Sequence, residues 1–477
     1  VIGLKVFLIR QTPKAFLVEP ALGRMAYKYS MEETEEGHMK FQKPSGISTY
    51  FGWNGEALRV PADEYKSRME KVLRCMEADG IDTLICVRPE DVYYLSGFYT
   101  IGDSEPIALI IPRTGTPFFV ARLIEVDLLP KLSWVKFAWT CPDASSIFNT
   151  FCHVVPEVLP AKGNVGIQLD AITALHSKRL FKFFEQFTGL EIQDASKTVE
   201  TARIQKSEYE LSCIRKAAPL SEGAMQTALN LIKPGLLLSN LHSAYYSALI
   251  ESGSEVPGYL PIVRSKDVSG HGSWMPNERV EAGNLVFLEA AACIHGHHSP
   301  LMRTAYILGP TESEPPMWLQ EAEKLIQKVF ETCLPMMVPG AKACDIDSAG
   351  RKIMTSNSFG LKMSARLAYS TGSTATQPTG HAGWGDADFS LVGHNQQGLK
   401  AGMVFHFIPW FQKYDAPSGP IGTSDAVLVT ESGGKRFGTL PLNILVMNPD
   451  GTRWDQSKLL EMSSVNEEPL QKRAKIA

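Results

Sequence analysis

"EAGNLVFLEAA", residues 281–291, has a counterpart in "KAGMVFHFIPW", residues 400–410, and this pair decides the fold. Each stretch opens on an Ala-Gly turn and runs on as a buried apolar strand. Upstream, "IKPGLLLSNLHSAYYSALIESG" (232–253) parallels "MVPGAKACDIDSAGRKIMTSNSFG" (337–360). Both read Pro-Gly, then Leu or Ile six residues on, then Ser-Ala at the same offset, then Gly. A helix-period stretch precedes each Pro-Gly, the second being "WLQEAEKLIQKVFETCL". Four landmarks in unchanged order predict a duplicated helix-helix-strand unit with pseudo-two-fold symmetry. Its two strands are expected side by side around a central cleft, a register in which Glu289 of one copy lies opposite Ile408 of the other.

The first of these strands carries a chemical oddity. Leu285 to Cys293 would be uninterrupted apolar sequence but for Glu289, and His295, His297 and His298 follow closely. A buried carboxylate without a partner costs several kcal/mol in effective terms, so Glu289 needs a partner or a purpose. The structural reading makes it one arm of an ion pair, with Arg303 nearby. For the three histidines, turn or surface placement outweighs a metal cluster, because alternation sets His298 apart from His295 and His297.

Towards the N-terminus the pattern is α/β. In "ADEYKSRMEKVLRCMEADG" the positions Tyr65, Met69, Val72, Leu73 and Met76 share one helical face, and Gly80 suits the helix end. A short strand "DTLICV", a turn at Pro89, "DVYYLSGF", and two further strands in "PIALIIP" and "PFFVARL" follow. The run "ARIQKSEYELSCIRKAA" reads as an exposed joint, which sets a boundary near residue 205. We expect an N-terminal extension over 1–60, an α/β domain over 61–205, the duplicated domain over 206–450 and a polar tail over 451–477. At 477 residues the chain exceeds one ordinary core.

Gross charge narrows the partners. With 47 basic and 51 acidic residues the formal charge is −4, which gives no general attraction to nucleic acid or acidic membranes. No apolar run reaches membrane-spanning length, and "VIGLKVFLIRQTPK" lacks a cleavage site of signal-peptide type. Eight scattered cysteines without a C-x-x-C pair fit reduced thiols in a cytoplasmic enzyme.

"RPEDVYYLSGF", "SGHGSWMPNERVEAGNLVFLEAAACIHGHHSPLMRT", "AYSTG", "LKAGMVFHFIP" and "DAVLVTESGG" together resemble the creatinase and aminopeptidase P family. The resemblance covers about four fifths of the chain. It implies an α/β (α+β) architecture, with a small α/β N-terminal creatinase-like domain before a pita-bread catalytic domain. Metal-dependent members hold two divalent ions on two Asp, one His and two Glu. Position by position these fall on Glu289, Pro300, Tyr369, Ile408 and Ser424, the last beside Asp425. Pro and Ile cannot coordinate an ion, so no dinuclear centre, no metal and no cofactor are expected. In creatinase, which works without metal, the catalytic histidine falls on His271, whereas the substrate-gripping glutamates fall on Met302 and Ile408.

The metal-free ectoine hydrolase branch is more similar. It shares "GH-x-SW" (His271, Trp274), the strand glutamate (Glu289), "H-x-PL-x-RT" (His298 to Thr304), Tyr369 in "YSTG", Trp384 with Gly385, and His406 in "FHFIP". The stretch "TATQPTGHAGWGDADFS" departs from it. By position Glu289 takes the nucleophile's role and His271 that of the general base. Trp274, His298, Tyr369, Trp384, His406 and Tyr94 are expected to bind substrate. The bland alternatives are core packing for Tyr369, Trp384, His406, Tyr93 and Tyr94, and a strand-end role for Asp425. The expected reaction is hydrolysis of a C–N bond in a small cyclic amidine. A lyase or cyclising enzyme on the same scaffold, and a non-catalytic binding protein, remain open. The expected partner is a small molecule, and the family's two-fold pairing implies a homodimer.

Overall fold

The computed structural model describes residues 59–99, 107–125, 128–141, 159, 161–265, 277–363, 366–372, 384–415 and 417–455, with short strands between residues 6 and 50. The chain forms two compact units, one of residues 1–205 with 373–387, the other of residues 206–372 with 388–477. No helix among the described residues is long and apolar enough to cross a membrane.

The first unit holds a seven-stranded mixed sheet, whose central strands are Gly163–Ile167, Thr83–Cys86, Ala108–Pro112 and Phe118–Arg122. Helix Ala62–Ala78 buries Tyr65, Met69, Val72 and Met76, and the chain leaves it through Gly80 at φ +68°. The stretch after Pro89 is a helix, Pro89–Ser96, rather than a simple turn. Proline suits its first turn and Gly97, at φ +80°, ends it. Within residues 1–60, strands Val6–Leu8, Ala15–Val18, Tyr27–Glu33 and Met39–Phe41 pair in sequence as an antiparallel sheet.

The duplication organises the second unit. Helices α1 (Glu208–Leu229) and α2 (Leu238–Glu251) form the first pair, and α3 (Met317–Cys333) and α4 (Ala343–Met354) the second. Both Pro-Gly glycines, Gly235 and Gly340, sit at φ +86°, and both Ala-Gly glycines, Gly283 and Gly402, at +79° and +84°. The repeat therefore lives in the backbone, in a left-handed conformation that glycine alone adopts without strain. The main sheet runs β1-β2-β3-β7-β6-β4-β5, where β1 is Ile262–Ser265, β2 Leu285–Ile294, β3 His297–Ile307, β4 Ala368–Thr371, β5 Gly385–Leu391, β6 Val404–Phe407 and β7 Ser424–Thr430. From β1 to β4 this order is palindromic, so the pseudo-two-fold passes between β3 and β7. The expectation that the two repeated strands lie side by side is thus corrected. Each copy returns as an antiparallel hairpin partner, β3 or β7, and these partners meet at the axis while β2 and β6 lie one strand further out.

Alternation divides the sheet chemically. Val286, Leu288, Ala290 and Ala292 of β2, with Leu301 and Ala305 of β3, pack in one apolar cluster with Ala217, Met225 and Leu241 of α1 and α2. On the other face Phe287, Ile262, Met302, Tyr369 and Ile408 form a smaller cluster around Glu289. Ser207 opens α1 with a capping box to Glu210, whose second oxygen meets His297 Nε2 at 3.3 Å.

Candidate active site

Register alone places the site. Glu289 of β2 faces Met302 of β3, which faces Ser424 of β7, and Tyr369 of β4 faces His406 of β6. Directly opposed residues in antiparallel strands share a face, so a row of side chains crosses the palindromic sheet. Ile262 and Arg264 extend the row onto β1, opposite Glu289 and Phe287.

Three of these residues form a hydrogen-bonded chain. His406 Nδ1 lies 2.8 Å from Tyr369 Oη, and His406 Nε2 lies 2.6 Å from Ser424 Oγ. The tyrosine ring meets the imidazole edge-on, with centroids 5.2 Å apart. Glu289 Oε1 stands 3.9 Å from His406 Nδ1, the one Arg, Lys or His nitrogen within 4.0 Å of this carboxylate among the described residues. Burial drives the titration of all three groups. It lifts Glu289 to about 7, against the smaller opposing pull of Arg366 and Arg264. Burial raises Tyr369 far above the usual phenol range, helped by the Glu289 charge. It also holds His406 well below the ordinary histidine value, with Arg366 acting in the same sense, so this imidazole is neutral at pH 7.

Two arginines that the sequence reading passed over belong to this face. Arg264 is 1% exposed on β1, and the Arg366 guanidinium lies over the Tyr369 ring, 4.4 Å from its centroid. The signal for Arg264 was a charged residue at an alternating position in "PIVRS", comparable to Glu289 in β2. Arg366 precedes Tyr369 by three residues in a loop, where spacing gives no face.

The structure brings together Glu289, Tyr369 and His406 from the sequence candidates and adds Ser424. His271 and Trp274 lie outside the described residues. His298 is re-assigned: its Nε2 accepts from the Gly258 amide at 2.9 Å and its Nδ1 meets the Gly372 carbonyl at 3.2 Å. With both ring nitrogens held by main chain, it fastens a loop to the end of β4. Tyr94 is likewise a core residue of the first unit, fully buried between Arg68 and Arg203, whose guanidiniums lie 4.5 and 5.7 Å from its ring centre. Trp384 is buried at the foot of β5. His295 and Gly296, at φ +48° and +77°, make the two-residue turn between β2 and β3, and His295 bonds Tyr209 of α1. The suggested Glu289–Arg303 pair does not form, because Arg303 points to the opposite face and binds Asp425 Oδ1 at 3.0 Å.

The donor set does not fit two divalent ions. Of the five positions that the family resemblance assigns to ligands, Glu289 alone supplies a carboxylate, and Pro300 and Ile408 have no donor atom. The hydroxyls of Tyr369 and Ser424 are both bonded to His406. No three His, Cys, Asp or Glu side chains converge on a metal position among the described residues.

Residues 212–431 match the metallopeptidase family M24, and residues 68–205 match the creatinase/prolidase N-terminal domain. Ectoine hydrolase from Halomonas elongata is 24% identical over 417 residues, 82% of this chain and 99% of that protein. The Xaa-Pro dipeptidase of Pyrococcus furiosus is 24% identical over 383 residues, 78% of this chain and 97% of the relative. Among solved structures, the recombinant prolidase from Thermococcus sibiricus superposes with a TM-score of 0.69 at 19% identity, covering 80% of this chain and 99% of the prolidase. With the palindromic sheet and these two matched domains, the chain belongs to the creatinase/aminopeptidase P family.

Proposed function

We propose that this hydrolase works without metal and opens a C–N bond of a small cyclic amidine, ectoine or a related zwitterion, through a covalent intermediate on Glu289. One observation carries the reading: the Glu289 carboxylate lies in an apolar wall without a salt-bridged arginine among the described residues, and burial raises it to about 7. A cationic N–C–N unit entering beside it favours the charged form, because an opposite charge stabilises the carboxylate that burial disfavours. The same oxygen is then positioned to attack the electrophilic carbon. Arg264 and Arg366 suit the carboxylate of a zwitterion better than they suit a simple cation.

Attack makes a neutral tetrahedral adduct. Its collapse breaks one ring C–N bond, moves a proton onto the departing nitrogen from the nitrogen that becomes C=N, and leaves an ester-type link to Glu289. Water then cleaves that link, returning the carboxylate and giving an amide and an ammonium. His271 is the proposed base that takes the hydrogen released as the amide carbonyl forms and returns it to the freed amine.

The test is ring opening by purified protein, with chelator present, across a panel of cyclic amidines, guanidines and Xaa-Pro dipeptides. Product from a cyclic amidine, lost in Glu289→Gln while binding persists, is the expected result. Full activity in that variant, or activity only after metal addition, rejects the proposal. Binding without product across the panel points instead to a non-catalytic binding protein.

A further inference from the structure

Counting hydrogens in the Tyr369–His406–Ser424 chain leaves one over. A neutral imidazole carries one ring hydrogen and each hydroxyl carries one, so three hydrogens serve two hydrogen bonds. His406 is the sole hydrogen-bond partner of both hydroxyls among the described residues. One hydroxyl must therefore turn its hydrogen away from the ring. Which hydroxyl does so depends on the tautomer. With the proton on Nε2, Tyr369 donates to Nδ1 and Ser424 keeps the outward hydrogen. With the proton on Nδ1, Ser424 donates to Nε2 and Tyr369 keeps it. The two states differ only by short hops along the chain, and neither places a charge on a buried group.

We infer that Tyr369, His406 and Ser424 form a two-ended proton relay that carries a hydrogen from the hydrolytic water to the substrate nitrogen, with Ser424 as a catalytic residue at the water end. The inference rests on the proposed Glu289 intermediate. Tyr369 Oη and Glu289 Oε1 both lie close to the same ring nitrogen, 2.8 and 3.9 Å from it, so the tyrosine end serves the reacting centre. In the hydrolytic step the water oxygen bonds the carbon held by Glu289, and one water hydrogen passes to Ser424 Oγ. Ser424's own hydrogen moves to Nε2, the Nδ1 hydrogen to Tyr369 Oη, and the tyrosine hydrogen to the nitrogen still attached to that carbon. The C–O bond to Glu289 then breaks and its electron pair returns to the carboxylate. The second water hydrogen leaves as the carbonyl forms and is taken up by the freed amine. The relay ends uncharged in its opposite tautomer and resets by reversing its hops. The mobile part of the chain is one imidazole, held edge-on to Tyr369 and backed by a strand whose Ser424 carbonyl accepts from Arg303 at 2.8 Å.

Two measurements test it. In substrate-free protein, nitrogen-15 NMR of histidine reads the His406 tautomers. Partial protonation of both ring nitrogens is expected, and one fixed tautomer overturns the relay whatever Glu289 does. With a turned-over amidine, Ser424→Ala should lower kcat at least about 100-fold, the usual scale of lost proton transfer. It should also accumulate a Glu289 adduct by mass spectrometry and straighten a curved proton inventory in mixed light and heavy water. Ser424→Thr should recover most of the rate and the curvature, and it stands in should the alanine variant fail to fold. A rate within threefold of wild type in Ser424→Ala, or a linear inventory in the wild type, overturns the relay. Absence of any Glu289 adduct in every variant rejects the nucleophile reading instead.

Discussion

Asp425 and Glu289 are both acids inside one sheet, two strands apart, and they keep opposite company. Asp425 lies on the face of Leu301, where Arg303 reaches it at 3.0 Å and Arg436 through Nε. Glu289 lies on the other face among Phe287, Ile262 and Met302, and the one basic side chain within 4.0 Å of it among the described residues is a neutral imidazole at 3.9 Å. The difference is a division of labour. An acid with two permanent guanidiniums is charged, satisfied and closed to chemistry. An acid left in an apolar wall destabilises the empty protein and is available to whatever cation enters.

Removing one charge from each site separates these roles most sharply. Asp425→Asn leaves Arg303 and Arg436 facing each other with no acid between them, and should lower unfolding free energy by about 3–5 kcal/mol in urea titrations. Glu289→Gln should do the reverse. It should fold at least as well as wild type while losing turnover of an active amidine by at least about 1,000-fold in kcat. A Glu289→Gln protein that melts early would make Glu289 structural and erase the contrast.

The stability gain has a pH signature. The Glu289 carboxyl titrates near 4.5 when unfolded and near 7 when folded. Between these values the folded chain holds a proton that the unfolded chain has released, so wild-type stability falls as pH rises through the window and is level above it. The Gln variant lacks this loss. Its advantage over wild type should be near zero below pH 4.5 and grow to about 3 kcal/mol above pH 7, from about 1.36 kcal/mol per pKa unit. Equal pH slopes in paired urea melts would show that the wall around Glu289 is wetter than its neighbours imply.

Much of this was legible in the sequence because the duplication repeats landmarks with a fixed backbone geometry. Gly235 and Gly340 keep one φ value and Gly283 and Gly402 nearly another, so a pattern of letters maps onto a pattern of turns. Glu289 was legible because a carboxylate breaks an apolar strand. The order of strands was not, since a repeated strand names its copy but not the hairpin partner that comes between. Ser424 was invisible as a functional group. In one dimension it is a lost ligand position before Asp425, and its meaning arises when His406, from a different strand, places Nε2 at 2.6 Å. His298 failed for a related reason, because its motif recurs here while main-chain groups of Gly258 and Gly372 take both its nitrogens. Local pattern names a residue, and long-range hydrogen bonding decides whether it is left for substrate.

The smallest effect discriminates best between an acid that waits for a cation and one that does not. In free enzyme only the ionised fraction of Glu289 reacts, so kcat/KM should fall about tenfold per pH unit below about 7, with the plateau on the alkaline side. Bound amidinium opposes the desolvation that raised the pKa, so the acid limb of kcat should move to lower pH than that of kcat/KM. An uncharged substrate gives no such counterweight and would leave the two limbs together. Asp425 cannot mimic the separation, because its two arginines stay in place whether or not the site is filled. Parallel kcat and kcat/KM profiles for one cyclic amidine therefore read the company of Glu289 directly: separated limbs show a carboxylate whose charge is completed by its ligand, and coincident limbs show one that never needed it.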